Sequence, residues 1–309
     1  MFRIRISPDA PWQMYLLRFP VTAAKVLNMS IYVSQQCRYG QMIFNRHDNT
    51  IGKSLQHYGE WSEPETFLFK QFLSPGDVAV EAGANIGTHT VMLSQAVGDS
   101  GKVYAFEPQR HSFQLLCTNL VINQRLNVHA HQWAIGDTDG SIDFPVIAPV
   151  NDDNFGAVSL HFASQARQVE SIPIQRIDTL NLPRLDFLKA DVEGYEVQVL
   201  QGAMQTIERC RPIIHLEYLS HYNSDCASQY FQLLAPLGYK LWFFISPLYN
   251  SQNHLVNPAN LFEGLWSFDM ICIPEERGFM QELPEMLAAS DTSSCTDINA
   301  WRSAQFVRR

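Results

Sequence analysis

Three carboxylate-bearing turns hold the residues whose types and spacing could do chemistry. The first is Val80-Glu81-Ala82-Gly83-Ala84-Asn85-Ile86-Gly87-Thr88-His89. A short apolar run that ends in a glycine turn and opens a helix brings backbone N–H groups close to a ligand. A dinucleotide fingerprint starting at Gly83 would need glycines at positions 85 and 88, where Asn85 and Thr88 stand. A side chain at 85 obstructs the close approach that a pyrophosphate requires. The second turn is Phe106-Glu107-Pro108, whose carboxylate comes 107 − 83 = 24 residues after Gly83. At the carboxyl end of a second strand, Glu107 can accept hydrogen bonds from both hydroxyls of a ribose. Together these turns imply a nucleoside cofactor with little or no phosphate, although a tight turn without ligand and a solvated loop acid are the plainer readings. The third turn is Leu188-Lys189-Ala190-Asp191-Val192-Glu193-Gly194-Tyr195-Glu196. In an open sheet this strand should lie beside the first, which places Asp191 and Glu193 to act on a substrate hydroxyl. Their plainer role, shared with Glu196, is to favour a helix N-terminus. Glu217 ends the run Pro212-Ile213-Ile214-His215-Leu216 beside Tyr218 and near His221, where it could bind an acceptor or a metal.

The elements that must position these residues alternate. Ser62 and Glu65 read as a capping box, with Pro64 in the first turn and Phe69, Phe72 and Leu73 as an apolar stripe. Ser74-Pro75-Gly76-Asp77 then turns the chain. Strands are expected at 78–80, 102–106, 127–131, 185–190 and 211–216, with helices to residue 97 and over 109–122, 195–208 and 225–234. That order predicts a doubly wound, mostly parallel α/β sheet. Residues 138–178 read as a β-rich insertion, in which Asn154-Phe155-Gly156 is a loop able to close over the site. Runs at 239–245 and 265–273 predict an antiparallel pair at one edge, and the polar tail after Pro274 predicts loose order. The expected division is an N-terminal extension (1–55), a catalytic domain (56–275) and a C-terminal tail (276–309).

Of 309 residues, 46% are apolar and 17% charged, enough for a sizeable core. The formal charge of −9 and the lack of a basic stripe argue against a nucleic-acid partner. Cys37, Cys117, Cys210, Cys226, Cys272 and Cys295 form no CxxC pair, which fits reduced thiols in a cytoplasmic protein. Arg18, Pro20 and Lys25 interrupt the apolar stretch from Trp12 to Val33, so no transmembrane segment is expected.

From Ser74 to about Pro274 the chain resembles the FkbM-type S-adenosylmethionine-dependent methyltransferases. The resemblance rests on Pro75-Gly76-Asp77, the run from Gly83 to Thr90, Ala105 to Pro108, Ala134 to Asp137, Leu188 to Ala203, and the strand ending in Glu217. Glu81 departs from it, since the family more often has Asp there. The resemblance implies a Rossmann-like seven-stranded sheet, six strands parallel and one antiparallel. It also implies S-adenosylmethionine as cofactor, with Glu107 and Pro108 at the ribose and the turn holding Gly83, Asn85, Gly87 and Thr88 under the methionine part. Glu81 would face the cofactor's amino group, and Trp133, Ala134 and Asp137 would line the adenine. Asp191 is the first choice for the general base and a neighbour of the cofactor, with Glu193 and Glu217 behind it and His89 and His221 weaker. Asp191 and Glu217 could instead hold Mg²⁺. A small-molecule or glycan hydroxyl is the expected acceptor. An NAD-dependent oxidoreductase and a non-catalytic nucleoside-binding protein are the rival readings.

Overall fold

A computed structural model describes residues 30–146, 154, 156, 168–218, 225–290 and 300–309. Every element below belongs to one compact unit, residues 31–309. The expectations placed on residues 1–29, on Phe155, on His221 and on Cys295 lie outside the described residues.

The central sheet is built from β3 (Val78–Ala82), β4 (Lys102–Phe106), β5 (Val128–His131), β9 (Phe187–Ala190), β10 (Ile213–Glu217), β11 (Tyr239–Pro247) and β12 (Trp266–Pro274). In space the order is β5-β4-β3-β9-β10-β12-β11. Strands β5, β4, β3, β9 and β10 are parallel neighbours, and β12 runs antiparallel to both β10 and β11. Six strands therefore point one way and β12 the other, as expected. The antiparallel pair expected at one edge is β11–β12, with β12 lying between β10 and β11. The edge itself gains an eighth short strand, β14 (Glu285–Met286), paired with β11.

Helices cover both faces because each strand is apolar on both sides. Even-numbered residues such as Val80, Leu188, Ile214 and Leu216 face the core beneath α5 (Glu196–Gln201), α6 (Met204–Cys210) and α7 (Cys226–Leu234). Odd-numbered Ala79, Phe187, Ile213 and Ile273 pack under α2 (Glu63–Phe72) and α3 (Thr88–Val97). That second face changes character along its length. One register step toward the carboxyl ends, Glu81, Lys189 and His215 stand side by side on β3, β9 and β10. Glu217 and Asp269 pair in the next row. Polar residues so deep in a sheet require partners, and they mark the site.

The helix expected over 195–208 is two helices, broken at Gly202. A Cβ there would lie 1.9 Å from the Gly136 carbonyl oxygen, so the backbones touch and the chain must step aside. The capping box also resolves differently. Ser62 sits at φ 41°, and its hydroxyl caps no backbone N–H but turns onto the Glu65 carboxylate. The remaining long helix, α4 (Arg110–Ile122), follows β4 as expected.

The β-rich insertion is borne out at its base: β7 (Gly140–Pro145) and β8 (Val169–Gln175) are antiparallel, and β6 (Ala134–Ile135) joins β8. A hairpin of β1 (Tyr32–Cys37) and β2 (Gly40–Asn45), followed by α1 (Ile51–Tyr58), packs its Phe44 and Leu55 with Leu116 and Leu120 of α4. The described residues of the tail, 275–290 and 300–309, depart from the expectation of loose order, and the polar run from 291 lies outside the described residues. The tail's β13 (Gly278–Gln281) pairs with β15 (Gln305–Arg308), and Met280, Leu283, Met286 and Ala304 are buried. No helix among the described residues is long and apolar enough to cross a membrane.

Candidate active site

The carboxyl ends of β3, β4, β9 and β10 meet in one cleft. Its first lobe, about 520 Å³ counting its open mouth, is lined by Gly83, Asn85, Glu107, Pro108, Trp133 and Asp191, among others. The turn after β3 is tied down where Gly83 and Ala84 donate their N–H groups to the Phe106 carbonyl, at 2.9 and 3.0 Å. Gly83 has φ 83°, and a Cβ there would stand 1.8 Å from the Asp191 carbonyl oxygen. Only glycine lets the two turns close to this distance.

Glu107 is buried and held at both oxygens: Asn85 N–H donates to Oε2 and Gln109 N–H to Oε1, each at 2.8 Å. Burial outweighs these bonds and raises its carboxyl to about 7. Asn85 adopts φ 49°, a conformation that Asn tolerates better than most residues. Its N–H is thus committed to Glu107 and not offered to a phosphate. Trp133 stacks on His131 at 4.3 Å between centroids and on Phe106 at 6.0 Å, giving the lobe a flat aromatic wall.

A second lobe of about 1340 Å³, counting its open mouth, shares Gly83, Asn85, Glu107, Asp191 and Glu193 with the first. Its floor is acidic, with Glu65, Glu81 and Glu217, and its walls include Trp61, Leu248 and Trp266. Carboxylate oxygens of Asp191, Glu193 and Glu217 lie within 4.8 Å of one another, a donor set that could hold a divalent cation. The three environments differ. Burial pushes Asp191 upward, but the Lys189 ammonium, 2.9 Å from its Oδ2, overcomes this and holds its carboxyl below the ordinary value. Burial and the Asp191 charge raise Glu193 to about 8 and lift Glu217 well above the usual carboxylate range. Glu196, by contrast, accepts from the N–H groups of Val192 and Gly194 and serves the turn itself.

Glu81 is buried, accepts from the Thr90 hydroxyl at 2.6 Å, and is raised to about 7 by burial. With Thr88 it lines the second lobe. Ala134 lies in the first lobe beside Trp133. Two expected cofactor residues line neither lobe. Gly87 is the left-handed cap of α3, where a Cβ would meet Leu116 at 2.6 Å, and Asp137 is exposed. Gly156 reaches the cleft beside Asn85, and Asn154 lines the second lobe.

Sequence reasoning passed over Lys189, Trp61 and Trp266. Lys189 had a signal, a lysine inside the otherwise apolar run Phe187–Ala190. The two tryptophans come from opposite ends of the chain, and nothing local marks them.

The cleft thus sets a buried carboxylate, anchored at both oxygens, close to an aromatic wall. Residues 81–241 match the methyltransferase FkbM domain, 161 of 309 residues. "Methyltransferase 1" of Beauveria bassiana is 27% identical over 146 residues, which cover 40% of this chain and 57% of that protein. Hexuronic acid methyltransferase AglP of Haloferax volcanii is 26% identical over 140 residues, covering 45% of this chain and 54% of that one. The chain thus matches little more than half the length of these relatives. The crystal structure of a methyltransferase FkbM from Methylobacillus flagellatus aligns at a TM-score of 0.42 and 19% identity, over 65% of this chain and 44% of that one. On the domain match, this chain belongs to the FkbM family of S-adenosylmethionine-dependent methyltransferases.

Proposed function

We propose that this protein transfers a methyl group from S-adenosylmethionine to a hydroxyl of a sugar, glycan or natural product. The observation that carries this reading is the continuity of the two lobes. A lobe around Glu107 and Trp133 opens, past Asp191, into a roomier lobe floored by acids. When bound, the cofactor supplies a methyl group already activated by its sulfonium. The protein's tasks are then alignment and proton removal.

In this reading Glu107 accepts hydrogen bonds from the ribose hydroxyls, while Trp133 and Ala134 line the adenine. The turn from Gly83 to Thr88 passes under the methionine part, and Glu81 faces its amino group. Asp191 is ionised at neutral pH because of Lys189, so it accepts the acceptor's proton. Glu193 and Glu217, held protonated by burial and by the Asp191 charge, donate hydrogen bonds to the acceptor's oxygens. Trp61 and Trp266 offer apolar surface of the kind that sugar rings lie against. The acidic floor and the overall charge of −9 disfavour nucleic acid as acceptor. We place the chain in the cytoplasm, since Cys37, Cys117, Cys210, Cys226 and Cys272 are free thiols.

A second reading keeps the reaction and adds Mg²⁺ between Asp191 and Glu217. Favouring it, the buried Glu217 Oε2 has no hydrogen-bond partner among the described residues. The test is release of S-adenosylhomocysteine from S-adenosylmethionine over a panel of glycosides, with and without EDTA. Acceptor-dependent release supports methyl transfer, and EDTA sensitivity restored by Mg²⁺ supports the second reading. No release with any hydroxyl acceptor, but release with amine acceptors, would move the chemistry from oxygen to nitrogen.

A further inference from the structure

Behind the acceptor lobe lies a second cluster that the reaction outlined above does not use. Glu65 of α2, His215 of β10 and Asp269 of β12 are 4%, 0% and 3% exposed. One donor atom from each lies within 4.8 Å of the other two. The carboxylates are oriented by their outer oxygens: the Ser62 hydroxyl bonds Glu65 Oε1, and the Ser267 hydroxyl donates to Asp269 Oδ2 at 2.9 Å. The inner oxygens are left facing imidazoles. Asp269 Oδ1 is 3.6 Å from His215 Nε2, and Glu65 Oε2 is 4.0 Å from His89 Nε2. Phe69 packs edge-on against both rings, at 4.8 and 5.4 Å between centroids, and fixes their planes.

Two independent features point to a missing ligand. Neither ring nitrogen of His215 has a hydrogen-bond partner among the described residues, and His89 Nε2 also lacks one. Orphaned nitrogens at this depth are rare, because each forfeits its hydration without compensation. The carboxyl groups crowded here are the second feature. Four buried or half-buried carboxyls, Glu65, Glu81, Asp191 and Asp269, share this layer with Lys189, whose ammonium pairs with Asp191. Burial holds Glu65, Glu81 and Asp269 above the ordinary carboxylate range, so a cation seated among them would take the place of protons they now keep.

We propose that Glu65, His215 and Asp269 form a binding site for a first-row divalent metal of the zinc class. One imidazole and two carboxylates with serine-oriented outer oxygens are a donor set suited to zinc, and hard Mg²⁺ does not favour a nitrogen ligand. Metal–ligand bonds of about 2.0–2.2 Å would draw donors now within 4.8 Å to roughly 3.4 Å apart, a shift of side chains alone. Glu65 and Ser267 also line the acceptor lobe, so a fourth position opens toward it. The ion ties together α2, β10 and β12, three elements far apart in sequence, at the lobe's floor.

The test is metal content of the purified full chain by elemental analysis, followed by titration of EDTA-stripped protein with ZnCl₂ and with CoCl₂. The expected result is one ion per chain, a Co²⁺ visible spectrum with a nitrogen ligand, and a rise in melting temperature on Zn²⁺ addition. His215→Ala and the near-isosteric Asp269→Asn should each weaken Zn²⁺ at least 100-fold, while Asp191→Asn and Glu217→Gln leave it unchanged. Absence of saturable binding up to 100 μM Zn²⁺ would overturn the proposal and assign the orphaned nitrogens to water. Binding lost in Asp191→Asn but kept in both Asp269→Asn and Glu65→Gln would overturn it too, by placing the ion on the acidic rim. Titration of the stripped protein with S-adenosylhomocysteine reads the cofactor lobe separately, so failure of either assignment is visible alone.

Discussion

Glu107→Gln isolates the contact on which cofactor recognition depends. The wild-type carboxylate is fixed by the N–H groups of Asn85 and Gln109, each at 2.8 Å, and each oxygen keeps a lone pair for one ribose hydroxyl. In the glutamine variant one oxygen becomes an NH₂, which cannot accept from a hydroxyl and also faces a backbone donor. A hydrogen bond to a charged group contributes about 1.5–3 kcal/mol, so at pH 8.5 the affinity for S-adenosylhomocysteine should fall about 10- to 150-fold. The wild-type carboxyl titrates at about 7 in the free protein. Its ionised fraction falls from nearly all at pH 8.5 to about one-tenth at pH 6, which weakens the wild type about tenfold over that range. The variant has no such group, so the gap between the two proteins should narrow about tenfold at pH 6. Isothermal titration at pH 6, 7 and 8.5 reads both effects. Equal affinities of wild type and variant at pH 8.5 would refute the ribose assignment, and a flat wild-type profile would refute the raised carboxyl.

Other expectations follow from the same geometry. Asp191→Asn should leave S-adenosylhomocysteine affinity within a few-fold and cut single-turnover methyl transfer about 10²- to 10⁴-fold, the usual contribution of a general base. Full activity in that variant would assign the base to Glu193. Gly83→Ala places a Cβ against the Asp191 carbonyl at φ 83°, so it should cost on the order of 3 kcal/mol, read as a melting temperature lowered by about 5–10 °C. An unchanged melting temperature would show that the turn can move away. Glu65, Glu81, Glu107 and Glu196 are raised to about 7 and Glu193 to about 8, chiefly by burial. Between pH 6.5 and 8 the folded chain therefore still holds protons that the unfolded chain has released, and stability must fall as pH rises. His89 and His215, both lowered by burial, are neutral in both states over most of that window. The ligand-free protein should lose roughly 4 kcal/mol from pH 6.5 to 8, seen as a melting temperature about 6–10 °C lower. A rise instead would mean that these carboxyls are ionised and paired.

Much of the fold was legible because short apolar strands alternate with turn signals and helix-length stretches. Val78–Ala82, Lys102–Phe106 and Phe187–Ala190 are short apolar runs bounded by turns, and stretches long enough for a helix separate them. Asp191, Glu193, Glu107 and Glu217 were legible as acids because strand ends announce themselves, and the structure does bring all four to one cleft. The division of labour among them was not legible, since it depends on Lys189 reaching Asp191 and on Glu196 turning to the backbone. The break at Gly202 had a faint signal, a lone glycine in a helical pattern, but its cause is Gly136, 66 residues away in sequence. The tail misled because burial of Met280, Leu283 and Met286 needs only a few apolar residues in a polar stretch.

The central claim is that this cleft holds a nucleoside cofactor with a sulfur-bearing amino-acid arm and no phosphate. Calorimetric titration of the purified full chain with S-adenosylhomocysteine, with NAD⁺ in parallel, tests it most directly. The account predicts saturable micromolar binding of S-adenosylhomocysteine at one site and none of NAD⁺. Binding of NAD⁺ with no response to S-adenosylhomocysteine would contradict it and make the cleft that of an oxidoreductase.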